Sequence, residues 1–206
     1  MSTINFNSKR NPDLSTFSAH PVGMHGLEYP TVEHAFQAAK FSDHDHREAI
    51  RRLATPKAAR ALGRKPHDSF IGADQWRVKR VEVMETLTKR KFERFPELTK
   101  RLINSEPHVL NHRTGWDGFW GDQARGQQIG DGQNQMGHIL MALRASLMMT
   151  EQPSGPTTDY DPELVKLKYL LDEEYKRGFV DGCDAQSQSN HYEDAAEASQ
   201  GGTYHA

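Results

Sequence analysis

The segment YPTVEHAFQAAKF, residues 29–41, combines an apolar stripe with a second, polar face. Its apolar residues recur at helical spacing, and Glu33, Gln37 and Lys40 repeat that spacing on another face. Glu33 falls in the first turn of the predicted helix, where the positive end of the helix dipole lowers the pKa of a carboxyl group. An ionised carboxylate can stabilise a cation or orient a water molecule, but it is poorly suited to act as a general acid. Because acidic side chains are common in first turns for electrostatic reasons alone, the position also fits a solvated helix surface.

The segment TGWDGFWGD, residues 114–122, alternates glycines with aromatic side chains around Asp117. Glycines such as Gly121 let the backbone approach a ligand, and the indole rings of Trp116 and Trp120 can stack on a planar base. The alternative is a glycine-hinged loop whose tryptophans fill the core. The next segment, GQQIGDGQNQMG at residues 126–137, leads into a predicted helix, where Asn134 can bind an amide or a hydroxyl group. It contains neither G-x-x-x-x-G-K-[ST] nor G-x-G-x-x-G, so its glycines alone do not indicate a nucleotide-binding fold.

Basic side chains supply candidate phosphate ligands. Arg80 lies one helical turn after Trp76, so a stacked ring and a phosphate contact can share one helix face. Arg60, Arg64 and Lys79 are further candidates, although a solvated helix surface explains most individual basic residues equally well. The chain has eleven histidines, but it contains no H-E-x-x-H motif and no cysteine pair, so we predict no metal site.

Charge is distributed unevenly over the 206 residues. All 26 Lys and Arg residues lie at or before Arg177, whereas five of the 28 acidic residues follow residue 180, so residues 1–180 carry a formal charge of +3. That charge is too small to indicate bulk nucleic-acid binding, and it is compatible with a pocket for one phosphorylated small molecule. Cys183, the single cysteine, excludes an intramolecular disulfide framework, and no apolar run reaches membrane-spanning length. With no secretory h-region at the N-terminus, we expect a cytoplasmic protein without a membrane partner.

The helical periodicity predicts a mainly α fold with a few short strands near residues 4–30, as one compact domain over residues 1–150. Thr31 is the predicted N-cap of the first helix, which should run to about Phe41, and Thr55-Pro56 predicts the start of another. Further helices are expected at 44–53, 57–62, from Gln75 to about Phe95 with Asp74 as cap, at 97–104, and at 138–149. Beyond them the composition predicts a linker at 151–161, an amphipathic helix at 162–179 and an acidic disordered tail at 180–206.

Several segments together resemble the NADAR family, also called YbiA-like. They are YPTVEHAFQAAKF, ATPKAARALGR, the stretch from Trp76 to Met84 followed by KFERFPEL, WDGFWGD and NQMGHILMALR, in an order and spacing that cover roughly residues 14–148. The resemblance implies a compact, mainly α fold and hydrolysis of N-glycosidic bonds in ribosylated bases. Some members of the family remove ADP-ribose from guanine in nucleic acid, and others hydrolyse early riboflavin intermediates that carry a ribose 5-phosphate.

The resemblance also implies roles for individual residues. An oxocarbenium-like transition state needs a nearby negative charge, which falls on Glu33, and water is the co-substrate, so no cofactor is expected. Thr16 stands where the family has an asparagine, and the loop from Trp120 to Asn134 looks longer than usual for the family. Asp117 is expected to bind ribose hydroxyls or to share the water with Glu33. The expected substrate-binding residues are Gln37, Arg64, Trp76, Arg80, Trp120, Gly121 and Asn134.

The expected partner is a small ribosylated and phosphorylated molecule, or an ADP-ribosylated nucleic acid. A different class of function also fits the same residues, namely a non-catalytic module that binds ADP-ribose or a related nucleotide. Such a module needs the tryptophans and Arg80 but does not need Glu33. A third reading is an interaction protein that uses the 162–179 helix and the acidic tail. The sequence does not indicate an oligomeric state.

Overall fold

The computed structural model describes residues 2–151, which contain every predicted site residue. The predicted helix at 162–179, the tail at 180–206 and all but the first residue of the predicted linker lie outside the described residues. Within the described range, no helix combines the length and the apolar character that crossing a bilayer requires. The elements are β1 (Thr3–Phe6), β2 (Val22–Met24), β3 (Leu27–Tyr29), α1 (Val32–Ala38), α2 (His44–Arg51), α3 (Pro56–Leu62), α4 (Ala73–Arg94), α5 (Pro96–Ile103), β4 (Val109–His112) and α6 (Gln135–Glu151).

The fold is mainly α with a few short strands, as the sequence predicts. Apolar side chains of α1, α4, α6 and β4 meet in the core, with Phe36, Leu87, Leu140 and Leu110 among the most buried. Burial of these side chains supplies the main force that holds the helices together.

The strands form two small sheets. β1 pairs in parallel with β4, so that Thr3 lies opposite Val109 and Phe6 opposite His112. β2 and β3 form an antiparallel hairpin whose turn, His25-Gly26, has positive φ at both residues, as a tight two-residue turn requires. The predicted extended segments near the N-terminus therefore correspond to β1, β2 and β3, whereas the sequence did not indicate β4.

Helix α1 is buried on every side. Thr31 caps it, since its hydroxyl oxygen accepts a hydrogen bond from the amide of His34, and this confirms the predicted N-cap. The helix ends at Ala38, before the predicted Phe41, because strand-like pairing with the 69–71 segment takes over from there. The amide of Ile71 donates to the carbonyl of Lys40, and Phe41 pairs with Phe70.

The predicted starts of two other helices need correction. The N-cap of α4 is Gly72 and not Asp74, which lies in the first turn and pairs with Arg77 at 3.6 Å. Helix α6 begins at Gln135, three residues before the predicted start. Its early start is stabilised by the preceding loop, because the first amides of the helix donate to the carbonyls of Phe119 and Trp120.

Candidate active site

Glu33 lies at the centre of a buried polar network. Its side chain is only 3% exposed, and its oxygens face protein donors rather than solvent. Oε1 accepts hydrogen bonds from Nε2 of Gln37 at 2.9 Å and from Nε of Arg60 at 2.8 Å. Oε2 accepts from the hydroxyl of Thr16 at 3.1 Å and from Nη2 of Arg60 at 3.2 Å. The polar face of α1 is therefore a buried site and not a solvated surface.

The network keeps Glu33 ionised despite its burial. Burial raises the pKa of the Glu33 carboxyl group, because a charge is poorly solvated in the protein interior. The charge of Arg60, together with hydrogen bonds from Arg60, Gln37 and Thr16, more than compensates, and the net pKa of Glu33 lies below its ordinary value. The predicted ionised state thus has a different main cause from the helix dipole, namely an arginine on α3.

Gln37 is placed by its neighbours on α1 and α3. It lies one turn after Glu33, is 4% exposed, and packs against Gly63, where an added Cβ would come within 2.4 Å of the Gln37 amide oxygen. That amide oxygen is buried and has no hydrogen-bond partner in the protein. An unpaired buried acceptor is costly, so it marks a position where a hydroxyl group of a ligand or a water molecule would be stabilising.

Besides its ion pair with Glu33, the guanidinium of Arg60 contacts two aromatic rings. The ring centroid of Phe17 lies 4.5 Å from Arg60 Cζ, and that of Trp116 lies 5.0 Å from it. Trp116 is 45% exposed, and the guanidinium of Arg64 lies 5.7 Å from its ring centroid. Arg64, a predicted phosphate ligand, is therefore linked to Glu33 through Trp116 and Arg60.

The tryptophans predicted to contact the base both pack against Phe36 of α1. The ring centroids of Trp76 and Trp120 lie 4.9 Å and 5.5 Å from that of Phe36. Both indoles are half-buried, so each has an edge toward the core and an accessible part. The guanidinium of Arg80 lies 3.6 Å from the ring centroid of Phe119, next to Trp120. Arg80 and Trp76 are four residues apart in α4, so they lie on one face of that helix as predicted.

Asp117 and Gly121 shape the loop between β4 and α6. Oδ1 of Asp117 accepts hydrogen bonds from the amides of Phe119 and Trp120 at 3.1 Å and 2.9 Å, which fixes the turn that carries Trp120. Gly121 is packed so closely that a Cβ would lie 2.5 Å from the Thr114 hydroxyl oxygen. Close packing within the loop is therefore sufficient to explain why residue 121 is a glycine, and no ligand contact is needed. The catalytic role of Asp117 stays a prediction. Its Oδ1 already accepts two hydrogen bonds from the loop backbone.

Asn134 connects α6 to β4. Its side-chain oxygen accepts from the amide of His112 at 2.8 Å, and its Nδ2 donates to the carbonyl of Leu110 at 2.9 Å. With both ends of the amide engaged by backbone, Asn134 supports the loop between β4 and α6, and its predicted contact with substrate stays a prediction.

The sequence did not predict the contacts of three residues at the centre of the site. Arg60 was only a candidate phosphate ligand and Thr16 only a departure from the family pattern, yet both bond to Glu33. Phe17, which lies against Arg60, was not a candidate. The signal available for Arg60 was its place in ATPKAARALGR, one turn into a helix that begins with a well-capped Thr55-Pro56. Within residues 2–151, no group of three or more His, Cys, Asp or Glu side chains is arranged to hold a metal ion.

Comparisons with known proteins agree on one family. The profile of the NADAR domain matches residues 3–148. N-glycosidase YbiA from Escherichia coli is 37% identical over 146 residues, which is 70% of this chain and 88% of that protein. The chloroplastic riboflavin biosynthesis protein PYRR from Zea mays is 31% identical over 161 residues, covering 72% of this chain and 25% of PYRR.

A solved structure leads to the same family. The NMR structure of the Escherichia coli protein YbiA superposes with a TM-score of 0.63 at 34% sequence identity, and the match covers 76% of this chain and 92% of that one. A likeness of sequence and fold over most of both chains indicates common descent. The chain therefore belongs to the NADAR domain family.

Proposed function

We propose that this protein hydrolyses the N-glycosidic bond of a ribosylated base that carries a phosphate, with water as the nucleophile. Its family and its relatives named N-glycosidases establish the wider class, a hydrolase of N-glycosyl compounds. The substrate class and the residue roles are our proposal. Two substrates fit it, a ribosylaminopyrimidine phosphate of riboflavin biosynthesis and an ADP-ribosylated guanine.

The observation that carries the proposal is a buried carboxylate that remains ionised. Cleavage of an N-glycosidic bond builds positive charge on the ribose ring. A negative charge held close to C1′ in a water-poor site stabilises that charge strongly, because little solvent screens it. Glu33 is such a group: it is 2% exposed and its pKa lies below the ordinary value.

The reaction balances with water alone. The oxygen of water bonds to C1′, the base leaves with the electron pair of the C–N bond, and the proton released from water goes to the departing base. Glu33 stabilises the ribosyl cation, and Gln37, whose buried amide oxygen has no partner, offers an acceptor for a ribose hydroxyl. Asp117 is assigned to the ribose hydroxyls or the water, Trp76 and Trp120 to the base, and Arg64 and Arg80 to phosphate.

The test replaces Glu33 by glutamine, which keeps the shape and removes the charge. Purified full-length protein is assayed for release of free base from a ribosylaminopyrimidine 5-phosphate, ADP-ribosyl-guanosine, and DNA carrying that adduct. Loss of one electrostatic stabiliser should lower the rate by about 10²–10³. Glu28→Gln is the control, because the Glu28 side chain is 59% exposed and pairs with Arg94 on the surface.

The outcomes separate the possibilities. Wild type and Glu28→Gln should release base at similar rates from one of the substrates. A Glu33→Gln variant that folds and retains turnover within a few-fold of wild type would disprove the assignment.

A second candidate is a module that binds ADP-ribose or a related nucleotide without turnover. One observation favours it: four protein donors occupy the Glu33 oxygens, as expected for a carboxylate with a structural task. Calorimetry combined with product chromatography distinguishes the two. Tight binding of intact ligand, with no free base after hours of incubation with wild type, would favour the module.

A further inference from the structure

The oxygens of Glu33 have no vacant acceptor position in this structure. A carboxylate offers about four lone-pair sites, and Glu33 accepts two hydrogen bonds at each oxygen. A direct contact with a ribosyl group or a water molecule therefore requires one of the donors to leave. The question is which of Thr16, Gln37 and Arg60 can do so.

The two neutral donors are fixed in place. Thr16 is 8% exposed, and its backbone carbonyl accepts a hydrogen bond from the amide of Glu33 at 3.0 Å, so its position is tied to the start of α1. Gln37 is 4% exposed and confined by the backbone of Gly63. Both side chains are therefore enclosed by the protein around them.

Arg60 is the donor best able to leave. Its side chain is 24% exposed, compared with 3% for Glu33, so part of it already reaches the surface of the site. Its positive charge also opposes catalysis while it stays, because the same carboxylate would have to stabilise a guanidinium and a ribosyl cation together. Removing Arg60 from Glu33 restores an uncompensated negative charge at the moment when a positive one develops.

Groups other than Glu33 also stabilise the guanidinium of Arg60. Phe17 and Trp116 already flank it at 4.5 Å and 5.0 Å while it is bound to Glu33, and this attraction between ring and cation does not need the carboxylate. Arg64 lies against the same Trp116 ring at 5.7 Å. Two guanidinium groups that contact one partly exposed indole are candidate ligands for a phosphate, which arginine binds in a bidentate manner.

We propose that Arg60 recognises the phosphate of the substrate, and that binding exchanges the Glu33–Arg60 ion pair for a contact between Arg60, Arg64 and that phosphate. The proposal rests on the function proposed above, and it adds that the phosphate is required for the chemical step and not only for affinity. A ribose 5-phosphate and the diphosphate of ADP-ribose supply the same chemistry at this site.

The first experiment measures binding without turnover. Ribose 5-phosphate, ADP-ribose and unphosphorylated ribose are titrated into full-length wild type, Arg60→Gln and Arg52→Gln. Arg52 is the matched control, since it is an exposed arginine that pairs with Glu48 on α2. We expect Arg60→Gln to weaken phosphate-dependent binding by about 10-fold or more, with Arg52→Gln equal to wild type. The ligand that binds wild type more tightly identifies the source of the phosphate. The proposal would be overturned if wild type and Arg60→Gln had the same affinity for ribose 5-phosphate and the same affinity for ADP-ribose.

The second experiment follows the exchange in wild-type protein, so it does not depend on a variant that folds. Carbon NMR of the Glu33 carboxyl and nitrogen NMR of the Arg60 Nε–H are recorded during the same titrations. Saturation with the tighter phosphate ligand should shift both signals, and ribose should shift neither. If both signals stay unchanged at saturation, the ion pair does not open and the proposal is wrong.

Turnover measurements then distinguish two roles of Arg60, recognition of the substrate phosphate and positioning of Glu33. With a matched pair of phosphorylated and dephosphorylated substrates, Arg60→Gln should slow both, because losing the ion pair raises the pKa of Glu33. The loss of kcat/KM should be about 10²-fold larger for the phosphorylated substrate. An equal loss for both substrates means that Arg60 only orients Glu33, and the proposal fails. If wild type cleaves neither substrate but the phosphate ligand still shifts the Glu33 and Arg60 signals, the ion-pair exchange stands and the proposed glycosidase function fails.

Discussion

Replacing Lys91 by methionine should change how the stability of the protein depends on pH. Lys91 lies on α4 and is 2% exposed, and its ammonium group donates to the backbone carbonyls of Asp13 and, at 3.0 Å, Ser15. These carbonyls precede Thr16 and Phe17, so Lys91 anchors the segment that contacts Glu33 and Arg60. Burial lowers the pKa of Lys91 from its ordinary 10.5 to about 7, and the nearby Asp13 carboxylate only partly opposes this.

The sign of the effect follows from proton binding. Between pH 7 and 10.5 the unfolded chain binds a proton at Lys91 that the folded protein does not, so the free energy of unfolding rises with pH. Each pH unit in this interval adds at most about 1.4 kcal/mol, and the whole interval about 5 kcal/mol. That sum is an upper limit, because the two carbonyl oxygens favour the ammonium form. The contribution is fully present above pH 10.5 and is lost as the pH falls through about 7.

The assay is urea unfolding of wild type, Lys91→Met and Lys89→Met between pH 7.5 and 9.5. Lys89 is the control, because its side chain is 65% exposed and pairs with Glu93 on the surface. Starting above pH 7 avoids His20, whose pKa is lowered by burial and then by Lys91, so that it titrates below this range in every variant. Over these two pH units, wild type and Lys89→Met should gain roughly 2 kcal/mol relative to Lys91→Met.

Parallel curves for wild type and Lys91→Met would refute this reasoning, because they would mean that Lys91 keeps its proton in the folded protein. A lower stability of Lys91→Met at every pH, without a change of slope, would indicate lost packing alone.

Two further substitutions test how the site is supported. Gly63→Ala places a methyl group within 2.4 Å of the Gln37 amide oxygen and should displace Gln37 from the Glu33 carboxylate. We expect turnover to fall by roughly 10-fold, whereas Gly23→Ala, whose Cβ meets nothing within 4 Å, should leave turnover unchanged. Asn134→Ala removes two hydrogen bonds to the backbone of β4 and should lower the free energy of unfolding by about 1–3 kcal/mol with little change in KM. A large rise in KM at unchanged stability would instead support the predicted contact of Asn134 with substrate.

Local patterns account for the parts of this fold that the sequence predicted. Thr31 and Thr55 are hydroxyl caps followed by helical periodicity, and both cap helices in the structure. The strand β4 gave no such pattern, because only two of its four residues are apolar and its partner β1 lies about one hundred residues away. The family resemblance assigned Asn134 to substrate, and its backbone contacts with β4 could not be predicted, since that strand was not visible in the sequence.

In the candidate site, too, local features were predictable from the sequence and long-range contacts were not. Its carboxylate and one partner, Gln37, were predictable from the helix that carries both, whereas the other two partners were not. Thr16 and Arg60 come from segments 17 and 27 residues away, and no sequence periodicity links them to Glu33. Polar residues on a helix usually indicate solvent, and only the packing around α1 shows that Glu33 and Gln37 are buried.

The ionisation of Glu33 depends on Arg60, and this dependence explains how a structural ion pair can also serve catalysis. A helix of seven residues contributes through its dipole roughly 0.3–1 kcal/mol, whereas burying an unpaired carboxylate costs several kcal/mol. Without a cation beside it, the pKa of Glu33 would therefore rise, although the hydrogen bonds from Gln37 and Thr16 would still favour the charged form. If a phosphate draws Arg60 away, the ribosyl cation that forms at C1′ supplies the missing positive charge in the same dry environment. Because that cation exists only along the reaction path, the interaction that Arg60 gives up is recovered in the transition state and not in the bound substrate, which is the condition for lowering the barrier.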